Sequence, residues 1–166
     1  MILNNVLTVD TGLTTAWARW SGTMFPEVGQ FVCSKRLTQM ERITFMIRSF
    51  EATLYHCNPI KVILEMVELW EGSDKSRMSA VRGDTFNLAL LIGAYTATAI
   101  SRGIDVELLT AREWKGQLSK EATAWRVKQI NGEVYRSEHI TDAVAMGFSR
   151  DKEIWHLKTT VTSSSR

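Results

Sequence analysis

The chain has 166 residues, 45% hydrophobic and 23% charged, with a formal net charge of +2, which suits one domain able to bury roughly 70% of the surface its unfolded chain exposes. This near balance excludes a polybasic tail and an acidic disordered segment, so any basic site must be local. With no Cys-x-x-Cys spacing and no apolar run long enough for a membrane helix or signal peptide, the expectation is a soluble cytoplasmic protein, with no membrane association, that packs Cys33 and Cys57 in its core.

Val6 to Val9 reads as a buried strand, Asp10 ends it, and Gly12 supplies a turn where a ligand can approach the backbone. Asp10 therefore stands at a strand's C-terminal edge, where open α/β sheets bind ligands; starting a turn is its plain alternative role. Thr15 to Ser21 and Gln30 to Ser34 are further β-like runs, and three strands joined by turns predict an antiparallel meander. From Thr38, the residues Ile43, Met46, Ile47, Phe50, Leu54 and Cys57 recur at helical spacing. Asn58-Pro59 stops that helix, because proline disfavours a helical conformation in the residue before it. Lys61 to Met66 returns to strand character, with Glu65 near its end.

A polar segment, Glu71 to Arg82, precedes a second long helix from Asp84, whose apolar side reads as Phe86, Ala89, Leu90, Gly93, Ala94, Ala97 and Ile100. Gly103 is a suitable stop, and Ile104 to Leu109 alternates as a strand should. Between Ala111 and Arg136 six basic residues face three acids, a local +3 interleaved with Trp114, Trp125 and Tyr135. That segment reads either as a surface for phosphates or as a solvated helix face. A short helix after Ser137 carries His139 and Asp142, and residues 150–166 taper into a polar tail behind a single domain over 1–149.

Spacing i, i+3 places His139 and Asp142 on one helical face. If Asp10, Glu65 and Asp142 converge, each close pair repels by roughly 4 kcal/mol at ~4 Å and an effective dielectric near 20. A divalent cation relieves that repulsion, and oxygen ligands with one imidazole suit Mg2+ or Mn2+ better than structural zinc. Each acid taken alone is more often a surface or capping residue.

The order of these features resembles the RuvC-type Holliday junction resolvases of the ribonuclease H-like superfamily. The resemblance rests on strand-Asp-x-Gly, strand-Glu and His139-Ile140-Thr141-Asp142-Ala143 on a final helix. Arg82-Gly83, Gly103-Ile104-Asp105-Val106, Trp114-Lys115-Gly116 and Ser119-Lys120-Glu121 extend it over roughly residues 5 to 149. It implies an α/β ribonuclease H-like fold with a five-stranded mixed sheet in the order 3-2-1-4-5 flanked by helices. It also implies a two-metal endonuclease acting on branched DNA, usually as a homodimer on a four-way junction in a bacterial cell or phage-infected cytoplasm.

Carried over by position, Asp10 would bridge two Mg2+ ions (or Mn2+), Glu65 would bind one, and Asp142 with His139 the other. Lys120 and Lys115 would match basic residues that contact the scissile phosphate, although the interval between them is shorter than in the bacterial enzymes. Arg77, Arg82 and Arg126 join them as expected DNA contacts. Thr11 departs from the family's frequent turn residue. Glu68 occupies the place of an aromatic that stacks on bases near the crossover, and Trp70 could replace it. Other readings are a flap, fork or structured-RNA nuclease of the same fold, a phosphate-loop ATPase fragment built around Asp10-Thr11-Gly12, and a DNA-binding module without catalysis.

Overall fold

The computed structural model describes residues 3–67 and 84–155. Strands β1 (Asn4–Asp10), β2 (Thr14–Ser21) and β3 (Glu27–Val32) form the antiparallel meander. Helix α1 (Gln39–Cys57), β4 (Lys61–Met66), α2 (Asp84–Ser101) and β5 (Asp105–Thr110) follow. The short α3 (Ala111–Trp114), then α4 (Lys120–Asn131), α5 (Glu138–Ser149) and the short α6 (Lys152–Trp155) complete the described chain. The five strands lie in the order β3-β2-β1-β4-β5, with β4 and β5 parallel to β1. The expected mixed sheet, order and flanking helices are therefore present.

Strand β1 occupies the centre, and its alternation divides the core. Leu7 and Val9, with Val62 and Leu64 of β4, face Met46, Phe50 and Leu54 of α1 and Leu91, Tyr95 and Ala99 of α2. Val6 and Ile63 face the opposite way, with Trp20, Val144 of α5, Trp114, Val127 and Trp155. Coverage on both faces explains why the parallel strands read as continuous apolar runs.

Local signals set the ends of α1. Thr38 accepts a hydrogen bond from the Glu41 backbone while the Glu41 side chain accepts one from the Thr38 backbone, a reciprocal cap. At the other end Asn58 takes a left-handed conformation (φ 44°) just before Pro59.

The structure corrects several sequence expectations. Strand β3 begins at Glu27 and ends at Val32, earlier than the run read from Gln30 to Ser34. On α2 the buried positions are Leu91, Ile92, Tyr95 and Ala99, whereas Phe86, Leu90 and Ile100 are exposed. A second apolar stripe of this helix, not the one read from the sequence, meets the sheet. The basic segment contributes α3 and α4, and residues 152–155, read as part of the tail, form the short α6, whose Trp155 is buried in the core. No helix among the described residues is long and apolar enough to cross a membrane.

Helix α5 is tied to the sheet through one buried hydroxyl. Thr8 Oγ1, fully buried on β1, donates to the Ala143 carbonyl at 2.7 Å and accepts from Trp20 Nε1 at 3.0 Å. Along the same contact α5 presents Gly147, where a Cβ would run into the Trp20 indole. A fully partnered hydroxyl in this apolar layer favours one register of α5 over its neighbours, because a slip would leave the hydroxyl, the indole and a carbonyl unpaired.

Candidate active site

The parallel register of β1 and β4 pairs Val9 with Leu64, so Asp10 and Glu65 come next, side by side at the C-terminal edge of the sheet. Both point toward the face covered by α5, since Asp10 follows Thr8 and Glu65 follows Ile63 in the alternation. Because the next residue after Asp142 is Ala143, the Thr8 tie sets Asp142 over the same edge. His139, one turn earlier, donates from Nδ1 to Asp10 Oδ2 at 2.7 Å. Asp10, Glu65, Asp142 and His139 are thus brought together from three elements.

Their electrostatics are those of crowded acids. Burial chiefly, then the charges of Asp10 and Asp142 and a hydrogen bond with Asp10, push the Glu65 carboxyl up to about 8, against the pull of Lys115. Asp142 is also raised by burial, with Lys115 opposing and Asp10 adding to the shift. The hydrogen bond to Asp10 raises His139 above the usual imidazole range, although partial burial works against it. Among the described residues no group of three His, Cys, Asp or Glu side chains is placed so that it could hold a metal ion; one Asp10 oxygen holds His139.

Two lysines frame the acids. The short helix α3 is fixed by a reciprocal cap between Thr110 and Glu113 and anchored by buried Trp114. It delivers Lys115 to 3.8 Å from Asp142, with the ammonium also 5.4 Å from the Trp114 ring. Lys120, at the start of α4, is exposed and bonds Glu138 at 2.8 Å, the residue beside His139. Lys115, the less secure of the two by spacing, therefore lies in direct contact with an acid of the cluster. Arg126 lies with its guanidinium 5.1 Å from the Trp155 ring. Trp70, Arg77, Arg82 and Glu68 lie outside the described residues.

The turn after Asp10 has its own support. Thr15 Oγ1 donates to the Gly12 carbonyl at 2.7 Å and lies 3.2 Å from the buried Tyr95 hydroxyl. Thr11 is buried, and its hydroxyl has no partner among the described residues. Sequence reasoning missed Thr8, Trp20, Thr15 and Tyr95; a threonine inside the run Val6-Leu7-Thr8-Val9 was the available signal for the first.

Comparison with solved structures places this geometry. The structure of Thermus thermophilus RuvC in complex with a Holliday junction substrate matches with a TM-score of 0.69 at 19% identity, over 87% of this chain and 90% of that one. The chain has the fold of the junction resolvases. The yeast mitochondrial Holliday junction resolvase matches with a TM-score of 0.54 at 14% identity, over 93% and 82% of the two chains. Fowlpox virus resolvase, solved with Holliday junction DNA, matches with a TM-score of 0.53 at 15% identity, over 89% and 99%. No protein-family model and no curated protein matches the sequence. Within this fold the acids occupy the ends of β1 and β4 and the first turns of α5.

The raised Glu65 carboxyl has a consequence for stability. In the cation-free folded chain Glu65 keeps a proton up to about pH 8, whereas in the unfolded chain it loses it near the ordinary ~4.3 of glutamate. Its contribution favours the folded state at low pH and is lost as pH rises through that interval. In EDTA, Glu65→Gln is therefore expected to melt above the wild-type chain by a margin that widens between pH 5 and pH 9, with the wild-type deficit shrinking when Mn2+ is added. A margin independent of pH in thermal unfolding would contradict this account.

Proposed function

We propose that this chain is a metal-dependent endonuclease of branched DNA, with the four-way Holliday junction as its principal substrate. The observation that carries the reading is the convergence of Asp10, Glu65, Asp142 and His139 at one sheet edge of a resolvase fold. A donor set of carboxylates with one imidazole, held in a partly buried place that penalises its own charge, fits two Mg2+ or Mn2+ ions. When bound, such ions supply an activated water and neutralise charge on the phosphate being cut.

The protein's own residues supply the arrangement. Asp10 and Glu65 are held by the strand ladder, and Asp142 and His139 by the Thr8 tie to α5. Glu65 and Asp142 carry the burial penalty that favours cation capture, while Lys115 beside Asp142 is placed to meet a phosphate arriving at the same edge. Lys120, from the adjoining helix, adds a second positive charge over Glu138. Both lysines belong to the +3 segment, which gives backbone affinity without sequence information.

Asp10→Asn is expected to abolish cleavage of a four-way junction in both Mg2+ and Mn2+ while leaving junction binding equal or tighter, because one repelling charge is gone. Denaturing gels for cleavage and gel shifts in EDTA for binding separate the two effects. Cleavage retained by Asp10→Asn in both metals would overturn the assignment, and parallel flap, fork and linear duplexes establish the preferred branch.

The homodimer follows from the same reading. Symmetric incision of a four-way junction needs two active sites, and each chain carries one. The stripe Phe86, Leu90, Gly93, Ala97 and Ile100 runs along the outward side of α2, with Phe86 69% and Ile100 59% exposed. A second copy packing on that stripe would bury it. Sedimentation equilibrium of the wild-type chain is expected to give a dimer and Leu90→Glu a monomer; a wild-type monomer at tens of micromolar, or an unchanged Leu90→Glu dimer, would refute this interface.

A further inference from the structure

A cavity of about 280 Å³ opens at the same edge of the sheet as the acids, and the nuclease chemistry leaves it unused. The meander brings β3 back to the edge where β1 ends, so α1 starts there, and α2 starts there after β4. The first turns of both helices and the turn after Asp10 enclose the space. Its floor is apolar, from Ile43, buried Met46 and buried Leu91, and half-exposed Leu13 stands at its lip.

The rim is polar. Gln39 Nε2 donates to Asn87 Oδ1 at 2.6 Å across the gap between α1 and α2. That single bond leaves the Gln39 carbonyl oxygen able to accept and the Asn87 amide able to donate. Arg42, also lining the cavity, is held by the Leu37 carbonyl at 2.8 Å and the Lys35 carbonyl at 2.6 Å, which fixes a cation beside the mouth.

We infer that this cavity holds one nucleobase of the DNA strand being cut, turned out of its stack next to the scissile phosphate. The size falls just under the ~300 Å³ lower bound for drug-sized ligands, enough for a single heterocycle. Aliphatic walls suit the apolar faces of a base, and paired amides suit the mixed donors and acceptors on its edge. The occupant is a strand base because Gly12, which lines the cavity, lies two residues after Asp10. The acids point to the α5 face and the cavity opens on the α1–α2 face, so a strand whose phosphate lies at the acids would carry its neighbouring nucleotide over the Asp10–Gly12 turn to this mouth, with Arg42 near the backbone. A junction supplies such bases, since pairing is weakest at the branch. The inference rests on the nuclease reading and adds to it a subsite that selects the nucleotide beside the cut.

The test uses the full-length chain and four-way junctions carrying 2-aminopurine at successive positions around the branch, with fluorescence read in EDTA so that no cleavage is required. Wild-type protein is expected to raise the fluorescence strongly at one position only, the nucleotide flanking the cut mapped in Mn2+. Asn87→Ala, at an exposed position, is expected to reduce the rise and to weaken discrimination among the four nucleotides there on the order of tenfold, the scale of one lost base interaction. Ile43→Trp, which fills the cavity, is expected to abolish the rise, with circular dichroism confirming the fold. Junction binding without a localised rise, or a rise unaffected in a folded Ile43→Trp chain, would overturn the subsite and leave the nuclease reading intact. Absence of metal-dependent cleavage by the wild-type chain would overturn both.

Discussion

Two carboxylates on adjacent parallel strands, with a third delivered by a helix from the far end of the chain, repel one another inside a partly buried edge. The fold maintains that repulsion through rigid elements. The β1–β4 ladder leaves Asp10 and Glu65 no freedom to separate along the strands, and the Thr8–Ala143 bond prevents α5 from withdrawing Asp142. Without a cation the conflict is met by protons and by local partners: Glu65 rises to about 8, His139 is held on Asp10, and Lys115 leans on Asp142. These responses are what makes the edge a place where positive charge is wanted.

Much of this was legible in the sequence because the relevant signals are local. A β-rich run ended by Asp10, a capped helix from Thr38 and a second acid-ended strand are each short patterns with one dominant reading. His139 and Asp142 share a helical face by spacing alone. The α2 helix was misread for a physical reason: Leu88 to Ile92 is apolar without interruption, so periodicity offers two stripes, and only tertiary packing selects the one through Leu91, Tyr95 and Ala99. The approach of Lys115 to Asp142 depends on a four-residue helix too short for periodicity to reveal. Thr8 looked like one more strand residue, since its role is a contact with a residue 135 positions away.

The same edge joins three structural features. The strand ends carry the acids, α3 and α4 carry lysines beside them, and the first turns of α1 and α2 enclose a cavity on the other side of the Asp10 turn.

The central claim is that Asp10, Glu65 and Asp142 form one cation site. Crystals grown with Mn2+ and examined by anomalous diffraction test it most directly. The account predicts manganese peaks among the Asp10, Glu65 and Asp142 carboxylates, with His139 released from Asp10 to join them. Peaks elsewhere on the surface, with the Asp10–His139 hydrogen bond intact at saturating Mn2+, would contradict it.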